Sequence, residues 1–333
     1  VGTNKLKLSG DSMIRLTSLL LVITILLSCE APHNNPLDPM NPDYNYSRIR
    51  GRVLTLSLPV EPVSQTVVSW QSGSKQTFTD QMGEFDLLLA SAKDGWLFFS
   101  HPAYHSDSVY IDWPESNQFN TDISLNAVSV LDSLTIYSVV LNRFPSFQKE
   151  ELFIKAYITD RDNDIDSVRA VISGDGRSFH LPFNTTDKSF QRELSIFDLG
   201  ITGLEEIIGK PVQIFVRDIF SRNLSVGHNQ LVRVIHDDVI FISPEDTTTG
   251  KRPTLTWQPF QTGFEFHYTI EIYTDEVAPQ LVWMHERLAM EQTMYTVDQD
   301  LQDGNYFWVI WAIDDFGNRT RSKLAAFSVQ GEI

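Results

Sequence analysis

Gly304-Asn-Tyr-Phe-Trp-Val-Ile-Trp-Ala-Ile-Asp-Asp-Phe-Gly-Asn318 is the stretch on which the fold turns. Aromatic and β-branched residues fill Tyr306 to Ile313, which favours a strand, and the Asp, Gly and Asn residues that follow supply a turn. Successive strand side chains point to opposite faces. Tyr306, Trp308, Ile310 and Ala312 are therefore expected in the core, and Phe307, Val309, Trp311 and Ile313 on the other side. An ordinary sandwich strand carries polar residues on that second face, so four large apolar residues there need a reason.

The surrounding sequence gives the strand its context. Pro253-Thr-Leu-Thr-Trp257 precedes it, Tyr268, Ile270 and Ile272 alternate, and Leu301, Asp303 and Gly304 lead into the strand, with Phe327 near the end. This order, over 237–331, resembles bacterial fibronectin type III domains. The resemblance implies that Trp257 is the buried tryptophan of an early strand and that Tyr306, shortly after Leu301, forms a tyrosine corner. It also implies that Tyr273 shares the outer face of Phe307, Val309, Trp311 and Ile313, with Trp283 nearby. Exposed apolar patches of that size mark recognition surfaces. The patch is open to three readings: an aromatic platform for sugars, a protein docking surface, or packing against the adjacent domain or a loop.

Toward the N-terminus the same grammar recurs, with short β-branched and aromatic runs broken by Gly, Asp, Asn and Pro at intervals of about ten residues. In 131–235, strands are expected near 152–158, 167–172, 178–182, 190–196 and 212–218, with Gly174 and Gly176 taking positive φ in a hairpin. This reads as an immunoglobulin-like sandwich, with a brief helical stretch over 199–208. In 47–127, Ile49-x-Gly51-x-Val53 is followed by Thr79-Asp80-x-x-Gly83-x-Phe85, an apolar strand and a turn at Tyr104. That order resembles the carboxypeptidase regulatory-like domain, a small non-catalytic sandwich that commonly serves as a structural or attachment module. The fold class expected for the whole is therefore all-β, with tandem immunoglobulin-like β-sandwich domains.

The N-terminus reads differently. Arg15, the apolar run Leu16 to Leu27 and the small Ser28 make a secretory signal, and the run is too short to span a bilayer comfortably. Leu26-Leu-Ser-Cys29 resembles the lipobox of bacterial lipoproteins, which implies cleavage after residue 28 and acylation of Cys29. Cys29 is the sole cysteine, so the mature chain would hold no disulfide and no thiolate site. Residues 29–46, with prolines at 32, 36, 39 and 42, are too poor in apolar residues to fold and read as an extended disordered tether. The net charge of −17 becomes −19 once Lys5, Lys7, Arg15 and Asp11 leave with the signal. Such an acidic chain is unsuited to nucleic acid or anionic lipid, so the acyl chains must anchor it to the membrane. Glu30 stands where enterobacterial lipoproteins carry an inner-membrane retention Asp, which leans toward the outer membrane.

Candidate chemistry is sparse. Asp160, Asp162, Asp164 and Asp166 alternate along a loop and, with Asp218, could converge on calcium. The competing reading is a solvated acidic turn, and the spacing excludes an EF-hand, since Ile165 and Val171 stand where Gly and Glu are required. His101 and His105 flank a Pro-Ala-Tyr turn and read as turn chemistry. No nucleophile elbow, P-loop, dinucleotide fingerprint or His-Glu-x-x-His occurs. The expectation is a non-catalytic binding or scaffolding lipoprotein of the cell envelope, with an envelope protein or a glycan as partner and no cofactor unless calcium binds. Its rivals are a subunit of an envelope assembly or secretion complex, a polysaccharide-capturing accessory protein and, more remotely, a hydrolase with an unrecognised site.

Overall fold

The computed structural model describes residues 46–331 apart from 72, 74, 92, 114–116 and 175. The signal segment, Cys29 and the rest of the tether lie outside the described residues. Two compact units divide the chain after residue 126.

The first unit contains β1 (Ser47–Thr55), β2 (Val67–Trp70), β3 (Lys75–Phe78), β4 (Glu84–Leu89), β5 (Gly95–His101), β6 (Tyr104–Ile111), β7 (Gln118–Asn120) and β8 (Ile123–Leu125). One sheet has the order β4-β1-β7, with β8 also on β1; the other runs β3-β2-β5-β6. Ile49, Val53, Val68, Leu97, Phe99 and Leu125 are fully buried, and Phe85 meets Phe99 edge to face at 5.7 Å. The two glycines of the sequence motif have separate jobs. A Cβ on Gly51 would lie 1.6 Å from the Thr121 carbonyl oxygen, so only glycine lets β1 pass its neighbour. Gly83 has φ +71°, and a Cβ there would lie 2.5 Å from the Val53 carbonyl oxygen. Asp80 Oδ1 holds the turn by accepting from the backbone N–H of Met82 (2.8 Å) and of Glu84 (2.9 Å).

The second unit contains β9 (Val130–Arg143), β10 (Phe147–Thr159), β11 (Ile165–Ile172), β12 (Ser178–His180), β13 (Phe183–Asn184), β14 (Ser189–Ser195), β15 (Pro211–Asp218) and β16 (Asn223–Gln230), then β17 (Phe241–Ser243), β18 (Thr247–Thr249), β19 (Thr254–Trp257), β20 (Phe266–Thr274), β21 (Leu281–Ala289), β22 (Met294–Thr296), β23 (Gly304–Asp314), β24 (Arg319–Arg321) and β25 (Ala325–Val329). Between β14 and β15 lie a helix, α1 (Ile196–Leu199), and a 3-10 turn (Leu204–Ile207), so the helical stretch begins earlier than expected and is interrupted. Ser195 explains the early start. Its hydroxyl accepts from Asp198 N–H while the Asp198 carboxylate accepts from Ser195 N–H, a reciprocal cap. Gly174 and Gly176 take positive φ, as their hairpin requires.

Two cores fill this unit. One gathers Leu152, Ile154, Val168, Ile172, Ile214 and Leu231, and the other Trp257, Tyr268, Ile270, Trp308, Ile310 and Phe327. The fibronectin-like landmarks are in place. Trp257 is 1% exposed, and the Tyr306 hydroxyl donates to the Gln302 carbonyl at 2.9 Å, closing the tyrosine corner.

The two sandwiches are joined through their strands. β24 pairs in parallel with β9, Arg319 opposite Val139 and Arg321 opposite Leu141, so that β13-β14-β10-β9 and β24-β23-β20-β21 form a single sheet. A buried polar network seals the seam. Asn318 Oδ1 accepts from Ser138 N–H (3.0 Å), and Asn142 Nδ2 donates to Thr320 Oγ1 (3.1 Å) and to the Arg321 carbonyl (2.9 Å). Asp314, 3% exposed, accepts from the backbone N–H groups of Phe316 and Asn318 and pairs with Arg233 at 3.2 Å. Buried polar groups left without partners are expensive, so these bonds fix where the two sandwiches meet.

Candidate functional site

Pairing β9 with β24 gives the second unit one continuous outer sheet face. From β9 it takes Tyr137, Val139 and Leu141, from β10 Glu151 and Phe153, from β24 Arg319 and Arg321, from β23 Phe307, Val309, Trp311 and Ile313, and from β20 Glu271 and Tyr273. The face is not the open apolar surface that alternation predicts. Val309 is 1% exposed, and Phe307, Trp311 and Ile313 are half-buried. Tyr273 stacks on Phe307 with ring centroids 5.3 Å apart and planes 14° from parallel. Glu271 Oε2 accepts from both Tyr273 Oη and Trp311 Nε1, each at 2.9 Å. Burial, reinforced by the Glu271 carboxylate, pushes the Tyr273 phenol up to about 12. Arg321 lies over the Trp311 ring at 5.8 Å and Arg319 over Tyr137 at 4.5 Å. The aromatics are thus covered by long side chains from the neighbouring strands.

Trp283 does not belong to this face. It stands opposite Ile272, a core residue, is 6% exposed and donates Nε1 to Asp298 at 2.9 Å. Irregularities in the β20–β21 pairing, at Tyr268/Ile270 and Ile272/Tyr273, shift the register that simple alternation assumes.

At the edge of the face, Phe307, Tyr273, Arg143, Arg321, Phe144 and Leu324 line an open groove of about 580 Å³. Phe144 is 61% exposed and Leu324 43%. A hollow of about 720 Å³ in the first unit is lined by Arg50, Arg52, Asp86 and Asp122. Its charges answer one another: Arg48 and Arg50 pair with Asp86, and Arg52 pairs with Asp122 at 2.7 Å. Arg48, then Arg50, holds the Asp86 carboxyl below its ordinary range, and Arg52 does the same for Asp122.

The acidic loop turns its carboxylates to separate partners. Asp160 accepts from the Ser129 hydroxyl and from Asp162 N–H, and Asp162 accepts from Ala127 N–H. Asp166 lies 3.9 Å from Arg217, and Asp218 pairs with Arg222 at 2.9 Å. Asp164 is buried, and its carbonyl accepts from Ile219 N–H. The sequence alternation therefore builds a braced turn, without three of these side chains meeting at one point. His101 Nδ1 accepts from Ala103 N–H at 3.1 Å, so it too braces a turn.

A donor set that sequence reading missed is Glu150, Glu205 and His236, whose ligating atoms lie within 4.8 Å of one another. They come from β10, the 3-10 turn and the segment between the sandwiches, so residue spacing carries no signal of it. The imidazole hydrogen-bonds to Glu205 and has Nδ1 3.7 Å from Glu150 Oε1, and Glu150 Oε2 also accepts from Leu204 N–H at 2.9 Å. On the paired strands β10 and β14, Glu193 and Glu151 influence each other's charge. Hydrogen bonding to Glu151 and then burial raise Glu193 to about 7.

No protein-family model matches the chain, and no curated protein matches it in sequence. Solved structures similar to it include fibronectin(III)-like modules of Clostridium thermocellum CbhA, at 10% identity and TM-score 0.31 over 62% of this chain and 94% of that one. BcpA, the major pilin subunit of Bacillus cereus, is 9% identical with TM-score 0.27 over 86% and 99% of the two chains. The FN1–FN3 domains of chicken CNTN1 are 8% identical with TM-score 0.30 over 81% and 92%. These likenesses carry no argument about what the chain binds.

Proposed function

We propose that this chain is a non-catalytic binding or scaffolding lipoprotein of the bacterial envelope, held in the membrane by acylated Cys29. In this reading the first unit is the attachment or spacer module that its resemblance to carboxypeptidase regulatory-like domains implies. The second unit presents a ligand on the outer face of its continuous sheet. The observation that carries this is the seam itself. Two sandwiches that share one sheet and a buried polar network form a stiff body, and a stiff body lets one surface draw on both of them. Stiffness of this kind suits a scaffold, whose task is to hold a surface in place.

Two experiments test the proposal. Labelling with radioactive palmitate should mark the wild-type protein and fail with Cys29→Ala. Capture of envelope components by the purified full-length protein should return a component that Phe144→Ser, Leu324→Ser no longer holds, at unchanged thermal stability, since both side chains stand in solvent. Identical capture by both proteins would remove the second unit's groove from the function.

A further inference from the structure

Arg143 and Arg321 form the one pairing on this face that the protein leaves unanswered. Among the described residues, neither side chain donates a hydrogen bond or makes an ion pair, and Arg321 Nε is buried without a partner. Glu271, whose charge acts on Arg321, spends Oε2 on Tyr273 and Trp311. Burial and then the neighbouring Arg143 lower the Arg321 pKa, the sign expected when two like charges share a partly desolvated place. Carboxylates are abundant in a chain of net charge −17, yet among the described residues none forms an ion pair with these guanidiniums, and Glu151 and Glu271 act on them only at longer range. Such an arrangement is unfavourable without an anion and favourable with one, because a guanidinium presents a planar fork of donors to a carboxylate or sulfate.

The remaining lining says what carries the anion. Phe144, Leu324 and the stacked Tyr273–Phe307 pair give the groove apolar and aromatic walls. The backbone offers a peptide no strand edge there. β23 is paired along one side by β20 from Tyr306 to Asp314, and along the other by β25 up to Trp308 and by β24 from Trp311. Recognition therefore falls to side chains alone, which suits a ring with a charged substituent better than an extended chain seeking main-chain bonds. We infer that this groove binds an acidic saccharide, a sugar ring bearing a carboxylate or a sulfate, with the anion on Arg143 and Arg321 and the ring against the aromatic wall. The inference rests on the second unit's face being the binding surface, and it names the class of ligand.

The test is calorimetric titration of the full-length protein with tetragalacturonate, a sulfated galactan oligomer and neutral galactotetraose. At least one acidic oligomer should bind about tenfold more tightly than the neutral one, and raising salt to about 0.5 M should erase most of that advantage. The tighter of the two names carboxylate or sulfate as the anion. Arg143→Gln, an exposed change that should not disturb folding, should cost about tenfold in affinity at an unchanged melting temperature. Equal affinity for neutral and acidic oligomers, wild-type affinity in Arg143→Gln, or no binding of any oligomer would each overturn the inference. If the oligomers fail while Phe144→Ser, Leu324→Ser still loses its captured component, only the ligand class falls. If both fail, the groove is no binding site.

Discussion

Arginines stand on the outer sheet faces of both units, and the two sets behave oppositely. On β1, Arg48, Arg50 and Arg52 each meet a carboxylate from a neighbouring segment, so every one of these guanidiniums is already answered. On the second unit, Arg143 and Arg321 face a groove of similar size and, among the described residues, no carboxylate is in reach of a hydrogen bond. Concavity is common to both. What separates them is whether the protein has satisfied its own charges, and the unsatisfied place is the better guide to a ligand.

The comparison extends to stability, where it can be broken most visibly. Asp314 is a buried carboxylate that organises a turn and Arg233 at the seam, whereas Asp86 is an exposed one beside two arginines, its side chain 43% exposed. Asp314→Ala should cost about 3 kcal/mol in denaturant unfolding, because it strands buried partners. Asp86→Ala should cost at most about 1 kcal/mol, as solvent screens such pairs. Comparable losses would mean that the seam network is not the stabilising element that its burial indicates. The ligand contrast comes next. Arg52→Gln should leave saccharide affinity unchanged, while Arg143→Gln lowers it about tenfold; parallel losses would point to general charge rather than to the groove.

The smallest expected effect is in pH. Glu193 titrates at about 7 in the folded chain against an ordinary 4.5, so the folded form holds a proton that the unfolded form has released. A raised carboxyl pKa contributes stability that is fully present below about pH 4.5 and is lost as pH rises through about 7. Glu193→Gln should therefore match wild type at pH 5 and melt a few degrees higher at pH 8. A gap that narrows with rising pH would contradict the raised Glu193 carboxyl.

Alternation along Tyr306 to Ile313 was enough to assign the inner face, since Trp308, Ile310 and Ala312 are all fully buried. It was not enough to judge the outer face, because side chains that arrive from β20 and β24 decide its exposure, and a single strand does not specify its neighbours. The same limit hid the seam, although β9 carried a trace of it. Its inward-facing residues run Ile136, Ser138, Val140, Asn142, and two polar side chains on a buried face signal a polar partner. Asp160 to Asp166 illustrates the converse, for a regular pattern of ligand-type residues sends Asp160, Asp162 and Asp166 to different partners. The arginine groove was invisible, since Arg143 and Arg321 are far apart in sequence and neither sits in a motif.

The pairing of β9 with β24 also bears on the order in which the chain can fold. Ser138 and Asn318 are 180 positions apart, so the bond between them closes among the last, after nearly the whole chain is present. Until then β9 is a bare edge carrying Tyr137, Val139 and Leu141, a template on which a second molecule could add a strand. A nascent or truncated chain ending before Arg319 would keep that edge permanently open, and self-association should be its characteristic mode of failure.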